Sequence, residues 1–353
     1  MKKILLFGLL VLTAIAILYL ALAPSPVDPV EYHPLAKPEM TGVLAPNALL
    51  GQAELIAEGR IDGPEDTAIG PDGSIYAGMR DGKIVRVRPD GALETVAATG
   101  GRTLGLHFDK AGNIIACDAH KGLLAIDKNG KITVLASEAE GVPFRFADDL
   151  DIAKDGTVYF TDASDKFGID DYLLDLLEGR PRGRFLSYDP ATKSVKVLMR
   201  GLYFANGVAL SGNEDFVLVN ETYRYRIRRF WLKGPKAGTN DIFIDNLPGF
   251  PDNLSSNRRG TFYVALFSVR DDLADMMHRH PRLKRVMAKF PRFMWPGPKP
   301  YGLVLALDER GTMVKSFHDT SGGRLRAITS AVEHEGHLYI GSLHERKIGK
   351  LRL

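Results

Sequence analysis

The 353-residue chain has a single cysteine, Cys117, so no internal disulfide can form. A disulfide-held mini-protein is excluded, and a core of this size needs no covalent staple. Charge of one sign is also missing, with 46 Lys and Arg standing against 43 Asp and Glu. Setting aside Lys2 and Lys3 leaves 44 against 43, so no global basic field is available to hold nucleic acid. There is no HExxH zinc helix and no GxSxG nucleophile elbow. The glycines of Gly100-Gly101 and Ser211-Gly212-Asn213 read as loop glycines rather than phosphate cradles. What is present, 45% hydrophobic and 25% charged residues, is globular composition, which excludes a disordered tail or a collagen-like fibre.

Ile4 to Ala23 form one uncharged apolar run preceded by Lys2 and Lys3. Twenty residues at helical rise span about 30 Å, the thickness of a bilayer core. The run predicts an N-terminal transmembrane helix, with domain boundaries at 1–24 for the anchor and 25–46 for a tether; Pro24 to Pro46 carry six prolines. The two lysines predict a single-pass protein with a cytoplasmic N-terminus and an extracytoplasmic domain. A cleaved signal peptide is the alternative, because Ala21-Leu22-Ala23 has the small residues of a cleavage site. The length of the run favours the anchor.

The remainder, 47–353, repeats a short phrase: a glycine followed by an apolar strand. It reads DGSIYAG at Gly73, AGNIIAC at Gly112, DGTVYFT at Gly156, GNEDFVLV at Gly212, RGTFYVA at Gly260 and EGHLYIG at Gly336. The intervals are 39, 44, 56, 48 and 76 residues. A period of about 40–50 residues built of short strands predicts a β-propeller, here six-bladed and all-β. Insertions near 165–184, with the helix-like DDYLLDLLEG, and near 270–300 account for the two long intervals. A strand from near residues 48–60 is expected to close the ring against the last blade.

Eight residues before the regular glycines stand Glu65, Leu104, Asp148, Asp252 and Ile328, and six before Gly212 stands Asn206. The first strand of each blade lines the channel, so equivalent positions converge near the axis. Glu65, Asp148, Asn206 and Asp252 thus bring oxygen to one point, and three carboxylates there repel one another unless a cation neutralises them. Hard oxygen donors without His or Cys point to Ca²⁺. Taken singly, each of these residues reads as turn chemistry; the matching positions argue for the site. Asp66 and Asp149 follow directly, and either hold a second cation or cap turns.

The stretches FADDLDIAKDGTVYFTDAS, DYLLDLLEGRPRGRFLSYD, FANGVALSGNEDFVLVNET and GFPDNLSSN resemble the strictosidine-synthase-like propellers, whose wider superfamily includes calcium-dependent paraoxonases and gluconolactonases. The resemblance implies a channel metal and hydrolysis of esters or lactones. It puts Glu65, Asp148, Asn206, Asp252 and Asn253 at a catalytic Ca²⁺, and Asp66 and Asp149 at a structural one near the Leu106 carbonyl. Two departures matter. Thr329 stands where the plant synthase has its catalytic Glu, which argues against Pictet–Spengler condensation, and Leu104 stands where paraoxonases have His.

These readings give a membrane-anchored hydrolase of reactive aryl esters or lactones. Asp252 or Glu65 is the candidate base, and His120, in DAHKGL, is an outside candidate at the channel mouth. The other reading is a non-catalytic propeller that binds a lipid or protein partner around structural calcium. From His278 to Lys299 run seven Lys or Arg and no acid, interleaved with Leu283, Val286, Phe290, Phe293 and Trp295. This segment is expected either to touch lipid headgroups or to pack as a lid.

Overall fold

Each repeat glycine sits in the hairpin between the first two strands of a four-stranded antiparallel sheet. Gly156 (φ 94°) and Gly260 (φ 96°) take the left-handed conformation that such turns favour. In the fourth sheet Glu214 (φ 56°) takes it instead, which accounts for the irregular phrase at Gly212. The computed structural model describes the backbone of residues 2–353, and their side chains except at 9, 10, 12, 14–17 and 21.

Six such sheets form the expected six-bladed all-β propeller. The innermost strands are Thr67–Ile69, Thr103–Phe108, Ala147–Ile152, Ala205–Leu210, Gly249–Ser256 and Ile328–His334. The sixth blade is completed by Glu54–Ile56, which pairs antiparallel with Ile348–Arg352 (Glu54 opposite Lys350). The ring is thus closed by its first strand, as the sequence suggests, and no blade edge is left for another chain to pair with there. Buried aliphatic and aromatic residues fill the wedges between blades, for example Leu186, Phe160 and Leu150 between the second and third.

Five inner strands share one irregularity. Pairing breaks between Thr103 and Leu106, Ala147 and Leu150, Ala205 and Val208, Pro251 and Leu254, and Ile328 and Ser330. These are bulges, which free residues from the ladder and re-aim them. Asp148, Asp149, Asn206, Asp252, Asn253 and Thr329 are all such residues. At Gly207 an added Cβ would lie 2.4 Å from the Leu254 nitrogen, so glycine permits the fourth and fifth inner strands to meet.

Among the described residues four α-helices lie outside the blades: α1 (Lys2–Leu22), α2 (Tyr172–Glu178), α3 (Asp272–His278) and α4 (Pro281–Met287). Helix α2 ends at Gly179 in the left-handed conformation, α3 is capped by the Asp271 side chain, and α4 starts on Pro281. The α2 and α3–α4 insertions both join the second and third strands of their blades, the end of the ring where inner strands begin. Among the described residues no helix is long and apolar enough to cross a membrane, so the described residues do not support the expected transmembrane role of α1.

The proline-rich segment is extended but is not a free tether. The Val30 amide donates to the Glu178 carbonyl (3.0 Å) and the Tyr32 amide to that of His278 (2.9 Å), while Lys284 Nζ donates to the Val30 carbonyl (2.8 Å). Val27 is buried among Phe167, Leu177, Met277 and Ala288. The segment forms a strap across both insertions.

Candidate functional site

A cavity of about 300 Å³ opens where the inner strands begin. Glu65, Asp148, Asn206 and Asp252, the four oxygen-bearing residues singled out by register, all line it. The sixth blade departs from the count by one position. Its bulge frees a single residue, so Thr329 rather than Ile328 faces the cavity, and Leu104 faces it from the second blade.

The polar floor is organised as carboxylate–amide pairs. Asn206 Nδ2 donates to Asp252 Oδ1 (2.8 Å), and Asn253 Nδ2 donates to both oxygens of Glu65 (3.0 and 3.2 Å). Thr329 Oγ1 donates to the Glu65 carbonyl, and Asn220 Nδ2 to that of Asp252. Three buried acceptor atoms, Asp148 Oδ2, Asn206 Oδ1 and Asn253 Oδ1, have no hydrogen-bond partner. Buried oxygens left without donors are costly, and here they accompany three buried carboxylates.

Burial raises the Glu65 carboxyl well above the usual range, and repulsion from Asp252, Asp148 and Asp66 adds to it. Asp148 is raised well above its ordinary value by burial and then by Asp252. Burial lifts Asp252 to about 7 against the lowering hydrogen bond from Asn206. Arg102 is the nearby cation that opposes the rise at Glu65, and burial lowers its own pKa to about 10. Arg102 lies just before an inner strand, outside the repeat register, so the sequence offers no signal for it.

Unpartnered acceptor oxygens, paired amides and mutually repelling carboxylates make up the donor set of a hard cation. Among the described residues no group of three or more His, Cys, Asp or Glu side chains is placed to hold a metal by itself. Any ion here would therefore depend on the amide oxygens of Asn206 and Asn253.

Asp66 and Asp149 lie one residue further on and do not line the cavity. Asp66 Oδ2 accepts the Leu106 amide (3.2 Å), and Asp149 accepts those of Leu150 and Val208 (2.8 Å each). Both tie neighbouring inner strands together, though Asp66 still raises Asp149 by repulsion. His120 does not line the cavity. It is exposed in the turn between the second and third strands of its blade, at the end of the ring where the cavity opens, and its amide is bound to Asp118 Oδ1 (3.0 Å).

The cavity walls are apolar. Phe146, Phe204 and Phe250 come from the propeller, Tyr172, Leu173 and Leu176 from the first insertion, and Trp295 from the second. The basic insertion is thus in part a lid, and several of its cations are paired within the protein. Lys284 is buried on the strap, Lys289 Nζ donates to the Leu20 carbonyl, Arg292 pairs with Asp171 and Lys299 with Asp271.

Residues 148–235 match the strictosidine synthase family, and residues 42–87 match the N-terminal strictosidine synthase-like family. Adipocyte plasma membrane-associated protein of Bos taurus is 39% identical, over 95% of this chain and 86% of its own. Strictosidine synthase-like 6 of Arabidopsis thaliana is 37% identical, over 85% of this chain and 82% of its own. Among solved structures, a gluconolactonase of Xanthomonas campestris has a TM-score of 0.62 at 17% identity, covering 94% of this chain and 96% of that one. A calcium-binding regucalcin of Agrobacterium tumefaciens has a TM-score of 0.57 at 14% identity, covering 84% and 90%. These two likenesses are of fold. On the relatives, this chain belongs to the strictosidine synthase-like family that includes adipocyte plasma membrane-associated protein.

Proposed function

We propose that the chain hydrolyses reactive esters or lactones at the floor of this cavity, with calcium as its resident metal. The observation that carries the reading is the set of three unpartnered oxygens, Asp148 Oδ2, Asn206 Oδ1 and Asn253 Oδ1, beside Glu65 and Asp252. Glu65, Asp148, Asn206, Asp252 and Asn253 would hold the ion. When bound, it supplies a Lewis acid for the substrate's carbonyl oxygen.

The chain's own groups do the rest. Asp252, oriented through Oδ1 by Asn206, presents Oδ2 as the base that takes a proton from the attacking water. The water oxygen bonds to the acyl carbon, the acyl C–O bond breaks, and the proton passes on to the departing alkoxide or phenolate. Glu65 is the alternative base. Phe146, Phe204 and Phe250 keep bulk water from the floor. Thr329 has no carboxylate to offer a Pictet–Spengler condensation, so strictosidine synthesis is not part of the reading.

The test is phenyl acetate hydrolysis by the full chain in detergent, with EDTA and then with Ca²⁺ restored. Activity lost and regained supports the proposal. No activity with calcium bound favours the second reading, a non-catalytic propeller that binds a lipid or protein partner. Leu104 facing the cavity in place of an imidazole speaks for that reading.

The uncharged run from Ile4 to Ala23 is the basis for proposing a single-pass anchor, with the N-terminus cytoplasmic and the propeller outside. Resistance to carbonate extraction, with the propeller protected from protease in sealed microsomes, tests it. Release by carbonate removes it.

A further inference from the structure

Opposite the bulges of the inner strands stand single residues of the second strands. Pairing skips from Asp162 to Phe160 across Asp148 and Asp149, and from Glu221 to Val219 across Asn206 and Gly207, which puts Thr161 and Asn220 there. Outside the irregular fourth blade the position falls five residues after the hairpin glycine, so its equivalents are Gly78, Cys117, Ala265 and Gly341. The position faces the next blade of the ring. An added Cβ at Gly78 would lie 2.6 Å from the Thr103 carbonyl of the second blade, and one at Gly341 would lie 2.7 Å from the Glu65 carbonyl of the first.

Where this position carries a polar group, the group meets a carbonyl that the neighbour's bulge has freed. Thr161 Oγ1 accepts the Asp149 amide of its own blade (3.2 Å) and donates to the Asn206 carbonyl of the next (2.8 Å). Asn220 Nδ2 donates to the Asp252 carbonyl. Cys117 Sγ, a weak donor, lies 3.6 Å from the Asp149 carbonyl. Gly341 has no side chain, and Thr329 Oγ1 donates to the Glu65 carbonyl instead. Gly78 and Ala265 precede the two blades that present no carboxylate or amide to the cavity, only Leu104 and Thr329. The strong donors thus follow the cavity's oxygen-bearing residues around the ring.

Packing alone does not account for Asn220. It is fully buried and its Oδ1 has no hydrogen-bond partner, a cost that an apolar residue of similar size avoids. We propose that Thr161 and Asn220 are positioning residues of the metal site, fixing the bulges that aim Asn206 and Asp252 into the cavity. The inference rests on the calcium reading for its ligand and on these hydrogen bonds for the residues it names. A bulged residue has no ladder partner, so a donor on its carbonyl selects one backbone conformation among several. Neither Thr161 nor Asn220 lines the cavity, so each acts through the residue it holds.

Calorimetry of Ca²⁺ binding to the metal-free full chain in detergent tests the assignment, with thermal unfolding of every metal-free variant alongside. Thr161→Val removes the hydroxyl and keeps the shape, and Asn220→Leu removes the amide. Each should weaken Ca²⁺ binding about 10- to 100-fold, as outer groups that orient metal ligands do. Thr161→Ser, which keeps the hydroxyl, should restore most of the affinity. Cys117→Ala should leave it unchanged, because Asp149, which Cys117 faces, does not line the cavity. If Asn220→Leu does not fold, Asn220→Ala is measured in its place and should show the same loss.

A merely structural role would lower the melting temperature of the metal-free variants and leave the Ca²⁺ affinity of the folded protein unchanged, which overturns the proposal. An equal loss in Cys117→Ala overturns it too, since the position would then support the ring in general. A wild-type chain that binds no Ca²⁺ removes the metal reading and this inference together. Ca²⁺ binding that responds to both variants, with no ester hydrolysed, sinks the hydrolase reading alone and upholds the roles of Thr161 and Asn220.

Discussion

Asn253 of the fifth blade donates its side-chain amide to both carboxylate oxygens of Glu65 in the first blade, at 3.0 and 3.2 Å, across 188 residues of sequence. The pair joins two blades that are not neighbours in the ring, with the sixth between them. It leaves Asn253 Oδ1 without a partner and one long-range donor on a carboxylate that other acids repel. Asn253 therefore orients Glu65 as well as offering an oxygen of its own. Asn253→Leu should lower Ca²⁺ affinity about 10- to 100-fold, the usual loss when a group that orients a metal ligand is removed. Asn253→Asp, which keeps an oxygen, should lose less. Calorimetric titration decides, and an Asn253→Leu protein with wild-type affinity would show that the pair has no part in metal binding.

Calcium binding should release protons. In the metal-free protein Glu65 and Asp148 lie well above the ordinary carboxylate range and Asp252 lies at about 7. A cation favours their ionised forms, so it must displace the protons they retain near pH 6. Affinity should rise as pH rises through about 7, where Asp252 gives up its proton. Titrations in PIPES and imidazole buffers, whose ionisation enthalpies differ, measure the release. Equal apparent enthalpies in the two buffers would count against the buried acids as ligands.

The repeat made much of this site readable. Counting back from each glycine finds Glu65, Asp148, Asn206 and Asp252 because every blade reuses one hairpin, so equal offsets in sequence become equal heights in the channel. The count misses in the sixth blade, where the bulge frees one residue instead of two and Thr329 takes the place expected of Ile328. His120 misleads for a related reason, since its turn lies beyond the second strand, where the register no longer fixes direction. The strap was not legible at all. An extended segment has no periodicity, and its docking depends on backbone groups at Val30 and Tyr32 that look alike in every sequence. Nor does the sequence mark Lys284 as buried, since it stands in a run of bases that reads as a solvated face.

That run leaves a smaller exposed basic and apolar surface than its composition suggests. With Lys284, Arg292 and Lys299 engaged by the protein, the outward groups include Arg279, Arg282, Leu283, Val286, Met294 and Phe293, the last of them 86% exposed. If this face meets lipid, Phe293→Ser combined with Arg282→Glu should weaken binding of the α1-deleted protein to anionic vesicles several-fold, with the salt dependence expected of headgroup contacts. The deleted protein must first give a cooperative thermal transition. Unchanged vesicle binding would assign the segment to the lid role alone.

His278, at the end of α3, couples the strap to the pH of the medium. Its ring is buried, packs edge-on against Tyr32 at 5.5 Å, and finds no hydrogen-bond partner for either nitrogen. Burial, with repulsion from Lys284, Arg224 and Arg270, lowers its pKa to about 3. An unfolded histidine titrates near 6.5, so below that pH the unfolded chain binds a proton that the folded chain refuses. The stability contributed by neutral His278 is complete above pH 6.5 and is lost as pH falls toward 3. Between pH 7 and pH 5 the wild type should lose about 2 kcal/mol more than His278→Phe, which keeps the ring contact without the titration. Urea unfolding of both proteins at the two pH values measures the difference. Parallel losses would mean that the folded protein accommodates the charged ring, by water entry or by release of the strap.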